Sequence, residues 1–177
     1  MKIHRFRFEI SDRARDLLFK KTQEKGRFGQ VGPKGRRSLR KDVRIARVLR
    51  FRDKKMERKL EKIIKTQFLK GSPSLFKSLS FDRCQIALYE RGSFYSWHQD
   101  SDTGPSPRVL SFVALIWKSS NLRGGSLEIL MPNGKVRRPR LRAGDAVIFP
   151  SQLLHRVVPV RDGERLTLTI WIRRKRC

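Results

Sequence analysis

Two of the three histidines in this 177-residue chain stand where a metal ion could be held. His98 and Asp100 are two residues apart in Trp97-His98-Gln99-Asp100. Side chains two apart on an extended strand share a face, so both can donate to one ion from one side. His155 follows Asp100 by 55 residues, opens its own extended stretch, and is the expected third donor. The remaining histidine, His4, lies in a basic stretch and is expected to be exposed. Two imidazoles and a carboxylate form the facial triad of non-haem Fe(II) sites, which leaves positions on the ion for a co-substrate and oxygen. His-x-Asp by itself is a weak signal, because chance produces it often and a lone buried histidine is more often a satisfied core residue.

What raises its weight is the stretch Arg165-Leu166-Thr167-Leu168-Thr169-Ile170-Trp171-Ile172, which alternates strictly. One face carries Arg165, Thr167, Thr169 and Trp171; the other carries four aliphatics. Burying a guanidinium with no partner costs several kcal/mol, so an inward Arg165 requires an anion, and a dicarboxylate suits it through a bidentate pair. Thr167 could add a hydroxyl bond to the same carboxylate. The plain alternative is an edge strand from which Arg165 faces water.

These residues need a scaffold. A helix is expected over residues 9–24, capped at Ser11 or Asp12, followed by a mobile basic loop over 26–40 that is rich in glycine. A strand over 43–51 precedes an amphipathic helix over 53–69, with Met56, Leu60, Ile63 and Ile64 on one side and a stop at Gly71-Ser72-Pro73. Beyond Phe81 come short runs rich in β-branched and aromatic residues: 85–89, 94–98, 109–117, 126–131, 136–140, 146–149, 155–160 and 165–172. So many short strands between turn signals such as Pro132-Asn133-Gly134 and Arg161-Asp162-Gly163 indicate a closed or double-sheet antiparallel fold. The expectation is a mainly β jelly-roll barrel with supporting N-terminal helices. It forms a single domain over 1–177, with a helical support region over 1–80 and the catalytic core over 81–177.

The residues in these positions resemble the prolyl 4-hydroxylase-like family of Fe(II)- and 2-oxoglutarate-dependent oxygenases. The resemblance rests on Tyr89-Glu90-Arg91-Gly92-Ser93-Phe94-Tyr95-Ser96-Trp97-His98-Gln99-Asp100, on Arg108-Val109-Leu110-Ser111, and on Gly124-Gly125-Ser126-Leu127. It continues through Ala143-Gly144-Asp145, Phe149-Pro150-Ser151, and His155 with Arg165 ten residues later. It implies a double-stranded β-helix of the cupin-like kind, with His98, Asp100 and His155 as iron ligands and Arg165 gripping the distal carboxylate of 2-oxoglutarate. It further implies that Tyr89 hydrogen-bonds the co-substrate, with ascorbate as an accompanying reductant. Collagen-type members carry lysine where this chain has Arg165, so the likeness is to the bacterial relatives.

Composition bounds the company the chain keeps. Lys and Arg number 43 against 16 acids, a formal charge of +27, with 24 of the cations and 8 of the acids in residues 1–65. Such a field attracts polyanions without specifying a fold, and acidic protein, ribonucleoprotein or nucleic acid are the partners it suits. No stretch approaches the roughly 20 apolar residues that cross a bilayer, so no membrane partner and a cytoplasmic location are expected. Cys84 and Cys177 are too few for a disulfide framework.

Four functions follow. Hydroxylation of a prolyl residue in a protein or peptide, with release of succinate and carbon dioxide, fits the motifs best. Oxidative demethylation or hydroxylation of nucleic acid suits the charge, but demethylases of the superfamily carry Arg-x-Asn-x-Thr-x-Arg; here Thr167 replaces the asparagine and Trp171 the second arginine. A small-molecule or free amino-acid hydroxylase and a non-catalytic basic binding barrel complete the set.

Overall fold

Strand β15 (Arg165–Arg174) lies between β8 (Arg108–Lys118) and β6 (Cys84–Tyr89), with β5 (Leu79–Phe81) against its distal end. In this computed structural model, which describes residues 3–29, 40–64, 66, 78–102 and 105–175, β15 is the spine of an eight-stranded sheet. Outward from β8 come β12 (Asp145–Pro150) and β1 (His4–Arg7); outward from β6 come β4 (Arg47–Phe51) and β2 (Arg27–Phe28). A second sheet has the order β11 (Val136–Arg137), β10 (Leu127–Leu130), β13 (His155–Val157), β7 (Phe94–His98) and β3 (Arg44–Ile45). A short ribbon pairs β14 (Val160–Asp162) with β9 (Arg123–Gly124). Two facing antiparallel sheets make the expected double-stranded β-helix.

Alternation in the long strands sorts side chains to two sides. Leu166, Leu168, Ile170 and Ile172 of β15 join Ile86 and Leu88 of β6, and Phe112 and Ala114 of β8, in a core shared with α1 (Asp12–Lys25) and α2 (Lys54–Ile63). Full burial of each large aliphatic is worth about 1.5–3 kcal/mol, which holds the helices on the sheet. The other faces of these strands look into the space between the sheets, where Val113 packs with Leu127, Ile129 and Phe149. Ser11 caps α1 by accepting from the Ala14 N–H, and Asp53 caps α2 by accepting from Lys55 and Met56.

Several boundaries differ from expectation for local reasons. The strand expected over 43–51 is two: β3 pairs with β7 in the smaller sheet, β4 with β6 in the larger, and the chain changes sheet at Ala46. The strand expected over 155–160 divides before Pro159, which has no N–H to give a ladder. The strand expected over 136–140 stops at Arg137. Part of the expected loop 26–40 is β2, paired with Arg47 and Val48; residues 30–39, and the helix stop at 71–73, lie outside the described residues. His4 is not simply exposed: it is half-buried in β1, opposite Ile148. No helix among the described residues is long and apolar enough to cross a membrane.

Candidate active site

His98 ends β7 and His155 opens β13, and the two are cross-strand partners with ring centroids 4.1 Å apart. Asp100 lies just beyond the end of β7 rather than within a strand. Its backbone N–H donates to the Ser151 carbonyl, which turns the carboxylate toward both rings. Asp100 Oδ1 is 3.8 Å from His98 Nε2, Oδ2 is 3.3 Å from His155 Nε2, and one donor atom from each residue falls within 4.8 Å of the others.

The protonation pattern follows from the hydrogen bonds. His98 Nδ1 faces the Ser96 carbonyl at 2.8 Å and His155 Nδ1 faces the Leu153 carbonyl at 2.9 Å. A carbonyl only accepts, so each Nδ1 carries a proton and Nε2 is the ring atom left facing Asp100 and free to bind a metal. Burial, reinforced by the neighbouring His155, pulls the His98 pKa down to about 3, so the ring is neutral at physiological pH. Burial pushes the Asp100 carboxyl up, but the His155 and His98 rings and the Ser111 hydroxyl outweigh it and hold the acid well below its usual range. Ser111 Oγ donates to Asp100 Oδ2 at 2.7 Å and lies 2.9 Å from Ser151 Oγ. The result is a buried, ionised carboxylate facing the Nε2 atoms of two imidazoles, a donor set suited to a divalent transition metal.

The pocket in front of this cluster is a cavity of about 40 Å³ walled by both sheets. From β15 come Arg165, Thr167, Thr169 and Trp171, the face singled out by alternation. Arg165 is 3% exposed, lies opposite Tyr89 in register, and donates through Nη1 to the Gly125 carbonyl. Gly125 adopts φ +64°, and a Cβ there would stand 3.0 Å from the Arg165 side chain, so glycine leaves room for the guanidinium. Tyr89 is buried with its ring 5.5 Å from Arg165 Cζ, and Thr167 donates to the Ala87 carbonyl at 3.3 Å, keeping its lone pairs. Burial lowers the Arg165 pKa to about 10, so the group stays charged at neutral pH.

All 16 acidic side chains lie among the described residues, and none forms an ion pair with Arg165. Among the described residues its Nε has no hydrogen-bond partner, nor does Trp171 Nε1. Unsatisfied donors at the end of a pocket are a place for an anion.

The family model for the 2OG-Fe(II) oxygenase superfamily matches residues 84–173, which spans β6 to β15 and contains every residue of this cluster. The chain belongs to that superfamily. The oxygenase is 37% identical over 95 residues to a PKHD-type hydroxylase of Parvibaculum lavamentivorans, covering 53% of this chain and 43% of the relative. A PKHD-type hydroxylase of Idiomarina loihiensis is 34% identical over 100 residues, covering 56% and 45%. The chain thus spans about half the length of the curated relatives it matches. In fold, the oxygenase is similar to a Pseudomonas putida prolyl-4-hydroxylase, with TM-score 0.72, 23% identity and 98% and 92% of the two chains covered. It is also similar to a viral collagen prolyl hydroxylase from Paramecium Bursaria Chlorella virus-1, with TM-score 0.70, 19% identity, and 98% and 97% covered. The superfamily implies Fe(II) and 2-oxoglutarate, and this pocket fits both. The two-nitrogen, one-carboxylate set suits the metal, and the acid-free buried guanidinium suits a carboxylate.

Reading the sequence did not single out Arg44 or the supporting Ser111 and Ser151. Hydropathy pointed away from Arg44: of Val43-Arg44-Ile45-Ala46, it is Arg44 and Ala46 that are buried, at 3% and 1% exposed, while Val43 and Ile45 are half-buried.

Proposed function

We propose that this oxygenase hydroxylates a prolyl residue of a protein or peptide, consuming 2-oxoglutarate and oxygen and releasing succinate and carbon dioxide. The observation that carries the reading is one pocket with a His-Asp-His cluster on one side and a buried arginine, without an acid partner, on the other. His98, Asp100 and His155 would hold Fe(II). With 2-oxoglutarate and oxygen, the metal supplies the oxidising power that replaces an unactivated C–H by C–OH.

The remaining work belongs to the chain. Arg165 binds the distal carboxylate of 2-oxoglutarate with its free guanidinium edge, and Thr167 and Tyr89 flank that carboxylate. Ser111 fixes the rotamer of Asp100, and the carbonyls of Ser96 and Leu153 fix the tautomers of the two histidines. The buried side chains of Val113, Leu127 and Trp171 keep bulk water from the reacting centre. Ascorbate serves as the reductant that keeps the iron ferrous. The prolyl target is supported by the hydroxylase names of the relatives and of the similar structures.

The test is purified protein with Fe(II), 2-oxoglutarate, ascorbate and proline-containing peptides. The expected result is peptide-dependent succinate with an equal amount of peptide heavier by one oxygen atom, both abolished in Asp100→Ala. Turnover undiminished in Asp100→Ala would overturn the assignment of the triad. The charge of +27 supports nucleic acid as an alternative substrate, and succinate release driven by nucleic acid instead of peptide would establish it.

A further inference from the structure

Only two Lys or Arg side chains among the described residues are buried, Arg44 and Arg165, each 3% exposed, and both line the same pocket. In a chain with 43 cations and 16 acids most positive charges must go without an ionic partner, which costs nothing in water. A buried one is different, because desolvation penalises it unless an opposite charge is supplied. Arg44 forms no ion pair and no side-chain hydrogen bond among the described residues, and its Nε is unsatisfied. Of the four unsatisfied buried side-chain atoms among the described residues, three, Arg44 Nε, Arg165 Nε and Trp171 Nε1, belong to residues of this pocket, and all three are donors.

Arg44 is held there by construction. It sits opposite Tyr95 in the β3–β7 register, with Cζ 4.5 Å from the Tyr95 ring, and that ring stacks on His98 at 3.5 Å. Behind it lies Gly29, whose N–H donates to the Ala46 carbonyl. A Cβ at that position would stand 2.8–2.9 Å from the Arg44 side chain, so the absence of a side chain keeps the guanidinium in place.

We infer that Arg44 is a specificity-determining residue that binds a carboxylate of the substrate, in a second anion subsite of this pocket. The inference rests on the hydroxylase reading above. Arg165 and the metal cluster account for the two ends of 2-oxoglutarate. Arg44 is a separate charge from the edge strand of the opposite sheet, and its counter-charge enters with the substrate. Among the described residues Arg44 and Arg165 are the only cations lining the pocket, so a single guanidinium at this subsite matches the single charge of a carboxylate rather than a doubly charged phosphate. Two sources carry that chemistry: an Asp or Glu beside the target proline, or the α-carboxylate of a free amino acid.

The experiment measures equilibrium binding under nitrogen, to protein loaded with Fe(II) and 2-oxoglutarate. The ligands are peptide pairs that differ only by Glu or Gln on either side of one proline, and free proline against prolinamide. Wild type is expected to favour the charged member of one pair by about tenfold or more, the worth of one charge-assisted hydrogen-bonded pair. The ratio falls to unity in Arg44→Met and is partly kept in Arg44→Lys; Gly29→Ala, which displaces Arg44, also lowers it. Whichever pair shows the preference identifies the source. Equal affinity of wild type for charged and neutral members of every pair would overturn the inference, and needs no variant to fold; so would a preference that survives Arg44→Met. Admitting oxygen then tests the parent reading separately. A charge preference in binding without hydroxylation of any ligand would overturn that reading and leave the subsite standing.

Discussion

At the scale of the residue, the site depends on who faces whom at one hydrogen bond's distance. Ser111 donates to the same carboxylate oxygen that lies nearest His155. Ser111→Ala is therefore expected to weaken Fe(II) binding by about 10- to 100-fold while leaving the fold intact, read by metal titration and circular dichroism. Arg165→Met should act in opposite directions on two readouts. It removes a buried charge that has no acid partner, so the protein without 2-oxoglutarate should melt higher. The same change should lose about 2–5 kcal/mol of 2-oxoglutarate binding, thirtyfold or more, measurable by calorimetry with metal affinity retained. Unchanged co-substrate affinity would place the anchor elsewhere. His98, Asp100, His155 and Arg165 were legible from type and spacing because each has a chemistry few other residues share. Arg44 was not, because its meaning depends on a partner strand and a glycine that are distant in sequence.

At the scale of the element, the long strands announced themselves and the short ones did not. Residues 109–117 and 165–172 were readable because β8 and β15 are long and alternate between the helix-covered core and the space between the sheets. β1, β2, β5 and β9 have two to four residues each, and pairing with a distant neighbour, rather than their own composition, makes them strands. β1 shows what such pairing requires. Arg5 and Arg7 reach across to the buried Asp145 of β12, at 2.5 and 3.0 Å. Burial pushes the Asp145 carboxyl up, but the Arg142 N–H and the guanidinium groups of Arg7 and Arg5 outweigh it and lower its pKa. A folded-state pKa below the unfolded one gives stability that is present above about pH 4 and lost as pH falls through the depressed value. Asp145→Asn is accordingly expected to lower the melting temperature at pH 7. It should also flatten the loss of stability below about pH 4, followed by thermal melts across that range; a parallel acid limb in both proteins would contradict the account.

At the scale of the whole molecule, two properties were plain in the chain itself: a two-sheet fold and an excess of positive charge. How the sheets would meet was not, since the change of sheet at Ala46 is fixed by tertiary pairing. The charge makes a prediction about conditions. Succinate release driven by an acidic partner should fall steeply as salt is raised, whereas release driven by a neutral proline peptide should hardly change. Comparing a cellular protein fraction with a nucleic-acid fraction at two salt concentrations separates these outcomes. The two-faced strand β15 carries a further consequence, for which changes of length the fold can survive. Its side chains obey a parity rule, so deleting one residue before Leu166 would hand the aliphatic set to the pocket and the polar set to the helices. Inserting two would keep the parity but slide Arg165 by about 7 Å along β6, away from its place opposite Tyr89. Substitutions in this strand can be gradual; changes in its length cannot.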